Sequence, residues 1–239
     1  MSGILLGGRG RVRAYPQATV VGGGGGGTYR APDWITEGAM AAWPMMDTGA
    51  TFEDTGDGLW DIPRPTSYVR SNQVYREKRA WAIQGTGTAL HLDAQIVDAI
   101  TLCGFFHATS SVDMFFCCYT GAVLTDSLWG VGILASGAFA ILDKRHGTGS
   151  VSVASYNILG DSYLLFASRS ATGVWNLYSN GRLILTSASA SAPVVAGTET
   201  VAIYAASQTP IHHLGLWDSE LSEAEIKRLT KLALPSINL

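Results

Sequence analysis

The sequence is poor in charge. Only 15% of its 239 residues are Asp, Glu, Lys or Arg, against an ordinary quarter, and the formal net charge is -3. Nothing in that balance draws the chain to a polyanion, so nucleic acid is not expected as its main partner. Cysteine is scarce as well. Cys103, Cys117 and Cys118 are odd in number and irregular in spacing, which argues against a secreted disulfide framework. Neighbours such as Cys117 and Cys118 point to opposite faces of a strand, so they make neither an easy disulfide nor a two-ligand metal pair. Buried free thiols are expected. Long apolar runs are also missing. The longest uncharged stretches, such as residues 127–142, fall short of a bilayer span and are broken by Gly and Ser. The opening Met1-Ser2-Gly3-Ile4-Leu5-Leu6 has no basic region before a short apolar core, so neither a secretion signal nor a membrane partner is expected.

Chemical motifs are missing too. No Ser/His/Asp set, phosphate-binding glycine loop or paired-cysteine motif stands out. An enzyme is therefore not expected, and no catalytic residue, metal or cofactor is assigned.

Apolar residues, at 47%, and 28 glycines are abundant, a balance that suits a tightly turned β-protein. The clearest signals are late in the chain. Asn180-Gly181 lies between the apolar-rich runs Val174-Trp175-Asn176-Leu177-Tyr178-Ser179 and Arg182-Leu183-Ile184-Leu185. A two-residue type I′ turn needs positive φ at both central positions, which Asn tolerates and Gly accepts freely. Such a turn sets Ser179 against Arg182, Tyr178 against Leu183, Leu177 against Ile184 and Trp175 against Thr186. Trp175, Leu177 and Ile184 then share a face that reads as core, and the Tyr178–Leu183 pair suggests cover on the other face too. A strand at residues 212–218 follows. Ser222 with Glu225 three residues on forms a capping box, and Ile226, Leu229 and Leu232 or Ala233 recur at helical spacing. Lys227, Arg228 and Lys231 suit the later helix dipole, and Pro235 stops the helix. This helix is expected to pack as a lid on the sandwich edge.

Earlier segments read as strands at residues 89–93, 101–107, 113–119, 128–134, 138–143, 150–156 and 163–168, with Val201, Ile203 and Ala205 alternating after a Ser/Ala tract at 186–195. Residues 101–107 and 113–119 read as buried on both faces. Many short strands, frequent turns and one late helix imply an all-β antiparallel sandwich of jelly-roll type. Residues 1–33 are different. Arg9, Arg11, Arg13 and Arg30 stand against Asp33 alone, and Gly22 to Gly27 are consecutive glycines. Such a segment does not hold a shape by itself. It is expected to be an extended amino-terminal arm held by a partner or a neighbouring copy, with residues 34–239 as the folded body.

Trp43-Pro44-Met45-Met46-Asp47 and the Asp/Gly loop after it resemble the opening strand of laminin-G-like and pentraxin-like domains. Gly85-Thr86-Gly87-Thr88-Ala89-Leu90-His91-Leu92-Asp93 is similar to their next strand, and Thr101-Leu102-Cys103-Gly104-Phe105-Phe106 to the one after. Asn176 to Gly181 resembles their hairpin, and Leu214-Gly215-Leu216-Trp217 with Leu221 to Ile226 their ending. The resemblance covers residues 34–234. It implies a concanavalin A-like lectin/glucanase fold, two curved antiparallel sheets face to face. The arm lies outside it; a Gly/Arg-rich leader before such a domain resembles the organisation of tailed-bacteriophage virion proteins. That second resemblance implies a virion structural protein, assembled in the host cytoplasm, which docks on capsid, neck or tail through Arg9, Arg11, Arg13 and Tyr15. Its partners would be other virion proteins and copies of itself. A carbohydrate-binding adhesin for a host-surface polysaccharide is the alternative, and a glycoside hydrolase the third reading.

Glucanases of this fold carry Glu-x-Asp-x-x-Glu, which alternation sets on one strand face. The pattern is missing here, and Glu220, Glu223 and Glu225 belong to the helix and its approach. Asp47, Asp54, Asp57 and Asp61 offer oxygen atoms of the kind that bind calcium in some relatives, but without a calcium-loop spacing. His212 and His213 are consecutive, so alternation sends one inward and one outward. Asp143-Lys144-Arg145-His146 reads as a solvent-facing hairpin tip. Trp175 and Trp217 read as core, whereas Trp60 and Trp129, beside glycine-rich turns, are the candidates for stacking on a sugar ring.

Overall fold

The computed structural model describes residues 37–45, 51–56, 61–63, 68–75, 78–83, 89–95, 99–107, 113–119, 127–133, 138–143, 150–153, 162–187, 200–204 and 210–234, with side chains described in only part of these. In chain order the strands are β1 (Ala41–Pro44), β2 (Thr51–Phe52), β3 (Ile62–Pro63), β4 (Tyr68–Tyr75), β5 (Lys78–Ile83), β6 (Ala89–Gln95), β7 (Ile100–His107) and β8 (Asp113–Tyr119). They continue as β9 (Ser127–Ile133), β10 (Phe139–Asp143), β11 (Ser150–Val153), β12 (Ser162–Arg169), β13 (Trp175–Ser179), β14 (Arg182–Thr186), β15 (Thr200–Tyr204) and β16 (Pro210–Trp217), and the helix α1 (Glu223–Ala233) closes the series. One sheet runs β14-β13-β12-β7-β16-β5-β4, with β1 also on β16; the other runs β11-β10-β9-β8-β15-β6. All pairings are antiparallel. The all-β sandwich read from the sequence is therefore the fold. Strands β2 to β5 add to those read from alternation.

Strand β7 shows how one sequence serves two layers. Ile100, Leu102 and Phe106 join a core with Val131, Phe139 and Ile141 of the second sheet. Cys103 and Phe105, on the alternate parity, join a separate cluster with Ile226, Leu229 and Ala233 of α1. The expected burial on both faces of β7 is thus met, one face by a sheet and the other by a helix. Across the inner core Phe106 and Phe139 meet edge to face at 6.0 Å, and Phe139 meets Tyr163 the same way at 5.4 Å, the geometry that ring quadrupoles favour. Each fully buried large side chain here contributes about 1.5–3 kcal/mol.

The hairpin turns as expected: Asn180 has φ 49° and Gly181 φ 80°. Tyr178 faces Leu183 and Ser179 faces Arg182, but Leu177 faces Leu185 and Asn176 faces Thr186. A bulge in β14 has inserted one residue, correcting the expected Leu177–Ile184 and Trp175–Thr186 pairs. In consequence both Ile184 and Leu185 pack against the core that holds Trp175 and Leu177. Tyr178 is buried under α1, whereas its partner Leu183 is 40% exposed, so the outer face of the hairpin is covered on one strand only.

Ser222 caps α1 through its side chain and Glu225 returns the bond, as the sequence indicates. Ile226, Leu229 and Ala233 are buried, while Leu232 is 48% exposed, which settles the helical stripe. Of the three cations only Lys231 lies in the last turn; Lys227 pairs with Glu223 and Arg228 with Glu37. Pro235 lies outside the described residues. The helix does not sit on the sandwich edge. It covers the outer face of the larger sheet, because Cys103, Phe105, Leu164, Phe166, Tyr178 and Trp217 expose an apolar surface there that needs a cover. Its approach is pinned by hydroxyls. Thr101 Oγ1 donates to Ser219 O at 2.8 Å and accepts from Leu221 N at 2.9 Å, while Ser168 Oγ donates to Leu221 O at 3.1 Å. The segment before β1 is fastened to the same layer: Trp217 Nε1 donates to Glu37 O at 3.0 Å, and Arg228 holds the Glu37 carboxylate at 2.6 Å.

Candidate functional site

The acidic loop after β1 is built around Asp54. Ala42 N and Gly56 N both donate to Asp54 Oδ1 at 2.8 Å, and Thr55 gives both its N–H and its hydroxyl to Ala42 O. Asp54 N in turn donates to Asp61 Oδ1 at 2.8 Å. The loop crosses so close to β1 that a Cβ on Gly56 would stand 2.9 Å from Ala41 Cα. The structure thus brings Asp54 and Asp61 together, and both carboxylates accept from backbone amides. Asp54 Oδ2 is buried without a hydrogen-bond partner. Asp47 and Asp57 lie outside the described residues. Among the described residues no group of three or more His, Cys, Asp or Glu side chains is arranged to hold a metal.

The second polar feature is a group of imidazoles on the outer face of the larger sheet. Ile211 pairs with Phe106, but the next pairing is His213 with Phe105, so β16 carries one extra residue at this point. Ile211 and Leu214 both pack into the inner core. His213 shares the face of its partner Phe105, and the His212 ring lies 5.0 Å from the Phe105 ring. Both histidines therefore leave the strand on one side, and the expected split, one inward and one outward, is corrected by the bulge, which interrupts alternation. His107 follows Phe105 by two positions in β7 and lies on the same side. His212 and His213 are buried. Burial, with His107 beside it as a lesser cause, lowers His212 from 6.5 to about 4. An imidazole of that kind stays neutral at ordinary pH. It is a poor proton acceptor and is screened from solvent, so His212 is not suited to acid–base chemistry on a substrate.

Other buried polar groups have structural surroundings. Arg169, fully buried, carries its guanidinium 6.0 Å from the Trp175 ring centroid. Cys103 is buried and free, and desolvation pushes its thiol well up, which removes the thiolate that reactivity needs. Glu225 is held below its ordinary value, chiefly by the Ser222 hydroxyl and amide. Glu223 and Glu225 thus belong to the helix, as the sequence indicates.

Arg9, Arg11, Arg13, Tyr15 and Trp60 lie outside the described residues, as do Lys144, Arg145 and His146. Trp129 is placed in β9 opposite Cys118 and Asp143, by backbone register alone. Trp175 and Trp217 are buried, as expected. Sequence reasoning missed the role of Asp54 as a backbone acceptor and the gathering of His107 with His212 and His213. An isolated Asp two residues before a Gly carries a weak turn signal, whereas nothing local announces the bulge in β16.

No protein-family model matches the chain, and no curated protein matches it in sequence. Solved structures do match its fold. Trypanosoma rangeli sialidase aligns at a TM-score of 0.63 and 13% identity, over 84% of this chain and 33% of that one. The binding domain of Paraclostridial Mosquitocidal Protein 1 aligns at 0.64 and 9%, over 82% and 52%. The Botulinum Neurotoxin Type G receptor binding domain aligns at 0.62 and 11%, over 82% and 51%. The chain thus spans a third to a half of the lengths of these proteins, and what it shares with them is the β-sandwich fold.

Proposed function

We propose that the chain is a non-catalytic recognition module whose β-sandwich binds a carbohydrate-bearing surface. The observation that carries this reading is the likeness, over four fifths of the chain, to two domains described as binding or receptor-binding and to a sialidase. The polar groups of the described body fit it. Asp54, Glu223 and Glu225 are occupied in holding backbone or helix, and His212 is neutral and buried. Trp60 and Trp129 are the residues proposed for stacking on the apolar face of a sugar. Glycan-array binding by the purified chain tests the reading: retention of a defined glycan class, weakened about tenfold or more by Trp60→Ala or Trp129→Ala in a folded protein, supports it. Silence across microbial and host glycans rejects it.

The finer form of the proposal is that the module belongs to a phage virion, docked by Arg9, Arg11, Arg13 and Tyr15 on capsid, neck or tail. It rests on the Arg/Gly composition of residues 1–33. Deleting those residues should leave glycan binding intact and abolish incorporation into particles; normal incorporation rejects this part alone.

A further inference from the structure

The turn between β13 and β14 is bound to more than its own hairpin. Asn180 N donates to Leu164 O at 2.8 Å, and Leu164 N donates to Asn180 Oδ1 at 2.9 Å. The Asn180 carboxamide thus acts as one more strand residue against β12, beyond the pair of Leu165 with Ser179 that ends the ladder. Leu164 is fully buried in the cluster beneath α1, so the clasp is dry on that side. Asn180 itself is half-buried, and Gly181 is buried. No other asparagine of the sequence precedes a glycine. An unconstrained Asn-Gly pair is chemically labile, because glycine has no Cβ to shield its amide nitrogen from the carboxamide carbon of the side chain before it.

We infer that Asn180-Gly181 is a latent site of spontaneous succinimide and isoaspartate formation, held closed by its two bonds to Leu164 and opened whenever the hairpin tip leaves β12. The chemistry needs only water. The Gly181 nitrogen gives up its proton to solvent hydroxide and bonds to Asn180 Cγ, the Cγ–Nδ2 bond breaks, and the nitrogen leaves as ammonia. Water then opens the five-membered imide at one carbonyl or the other, giving aspartate or isoaspartate. Ring closure requires Asn180 to leave the left-handed conformation of the turn, φ 49°, and its carboxamide to leave Leu164 N–H. While the clasp holds, the nucleophile and the carbon it attacks are kept in the wrong geometry, and burial of Gly181 keeps hydroxide from its amide. The two products differ in what they do to the fold. Aspartate still offers Leu164 N an acceptor. Isoaspartate adds a methylene to the main chain, which a two-residue turn does not hold in register, so Tyr178 and Leu183 lose their pairing. Modification therefore makes an opening of the hairpin irreversible.

Ageing the full chain at pH 8 and 37 °C, beside the free peptide of residues 170–182, tests the site. Cleavage after Arg169 and Arg182 releases the same peptide from the chain, and Asn176 within it, followed by Leu177, is the internal control. Mass spectrometry should find Asn180 converting in the free peptide, with isoaspartate formed, while Asn176 stays intact. In the folded chain the conversion should be slowed about tenfold or more. Hydrogen exchange of the Leu164 amide, corrected for its intrinsic rate, should be slowed by the same factor within about threefold, since both wait for one opening. Chains carrying isoaspartate at position 180 should show Leu164 N–H unprotected. Conversion in the folded chain as fast as in the peptide, an Asn180 no more labile than Asn176, or a slowing unmatched by Leu164 exchange would overturn the inference.

Discussion

The two faces of the larger sheet are made by the same strands and solve burial in different ways. The inner face meets another sheet with Trp43, Phe106, Trp175, Leu214 and Leu216 in one apolar cluster. The outer face meets a helix, and mixes apolar residues with Thr101, Ser168, His212 and His213. On the inner face, shape decides stability, because a missing group leaves a cavity. On the outer face hydrogen bonding decides as much, because hydroxyls pin the loop before α1. The inner layer holds the body together, and the outer layer carries the groups that respond to solution conditions.

Breaking the inner face should have the largest effect. Trp175→Ala removes a fully buried indole and the ring beside Arg169, and should cost about 3–5 kcal/mol in denaturant unfolding. On the outer face, Thr101→Val keeps the shape but leaves Ser219 O and Leu221 N without their side-chain partner. It should cost about 1–3 kcal/mol, with exchange at residues 219–222 rising first. Gly56→Ala forces a methyl group against Ala41 Cα and should cost about 1–3 kcal/mol of overpacking, read as a lowered Tm. Ser222→Ala removes the cap of α1 and should cost about 1 kcal/mol. The smallest effect belongs to Arg228→Ala, which breaks an exposed ion pair with Glu37 and should cost under about 1 kcal/mol, less in high salt.

Acid sharpens the same comparison. Glu225, held below its ordinary value by Ser222, contributes stability above that value and loses it as pH falls. His212 begins its loss at 6.5, well before the carboxylates respond. A pH series of exchange profiles should therefore show the surroundings of His212 weakening first, the α1 cap next and the inner core last.

Much of the outer layer was legible in the sequence because its signals are short-range. Asn180-Gly181 requires positive φ wherever it is placed, and the turn appears. Ser222 and Glu225 satisfy each other within one helical turn, and the box appears. The strand near residue 201 follows from alternation, and those near 101 and 163 from short apolar runs. Strands β4 and β5 were not marked, since Arg70, Ser71, Asn72 and Gln73 in one and Lys78 and Arg79 in the other break the apolar pattern. Their pairing with each other, and of β5 with β16, is a long-range matter.

By itself the sequence determined the all-β class, the hairpin turn, the helix cap and the burial of β7 on both faces, because each depends on backbone preferences or side-chain character within a few residues. Tertiary structure alone decided the rest. The bulge in β14 brings Ile184 and Leu185 to the core together, and the bulge in β16 turns two consecutive histidines to one side. The seat of α1 on a sheet face follows from the apolar positions of several strands at once. Register is set by the partners a strand meets, and one inserted residue reverses the alternation that a sequence displays.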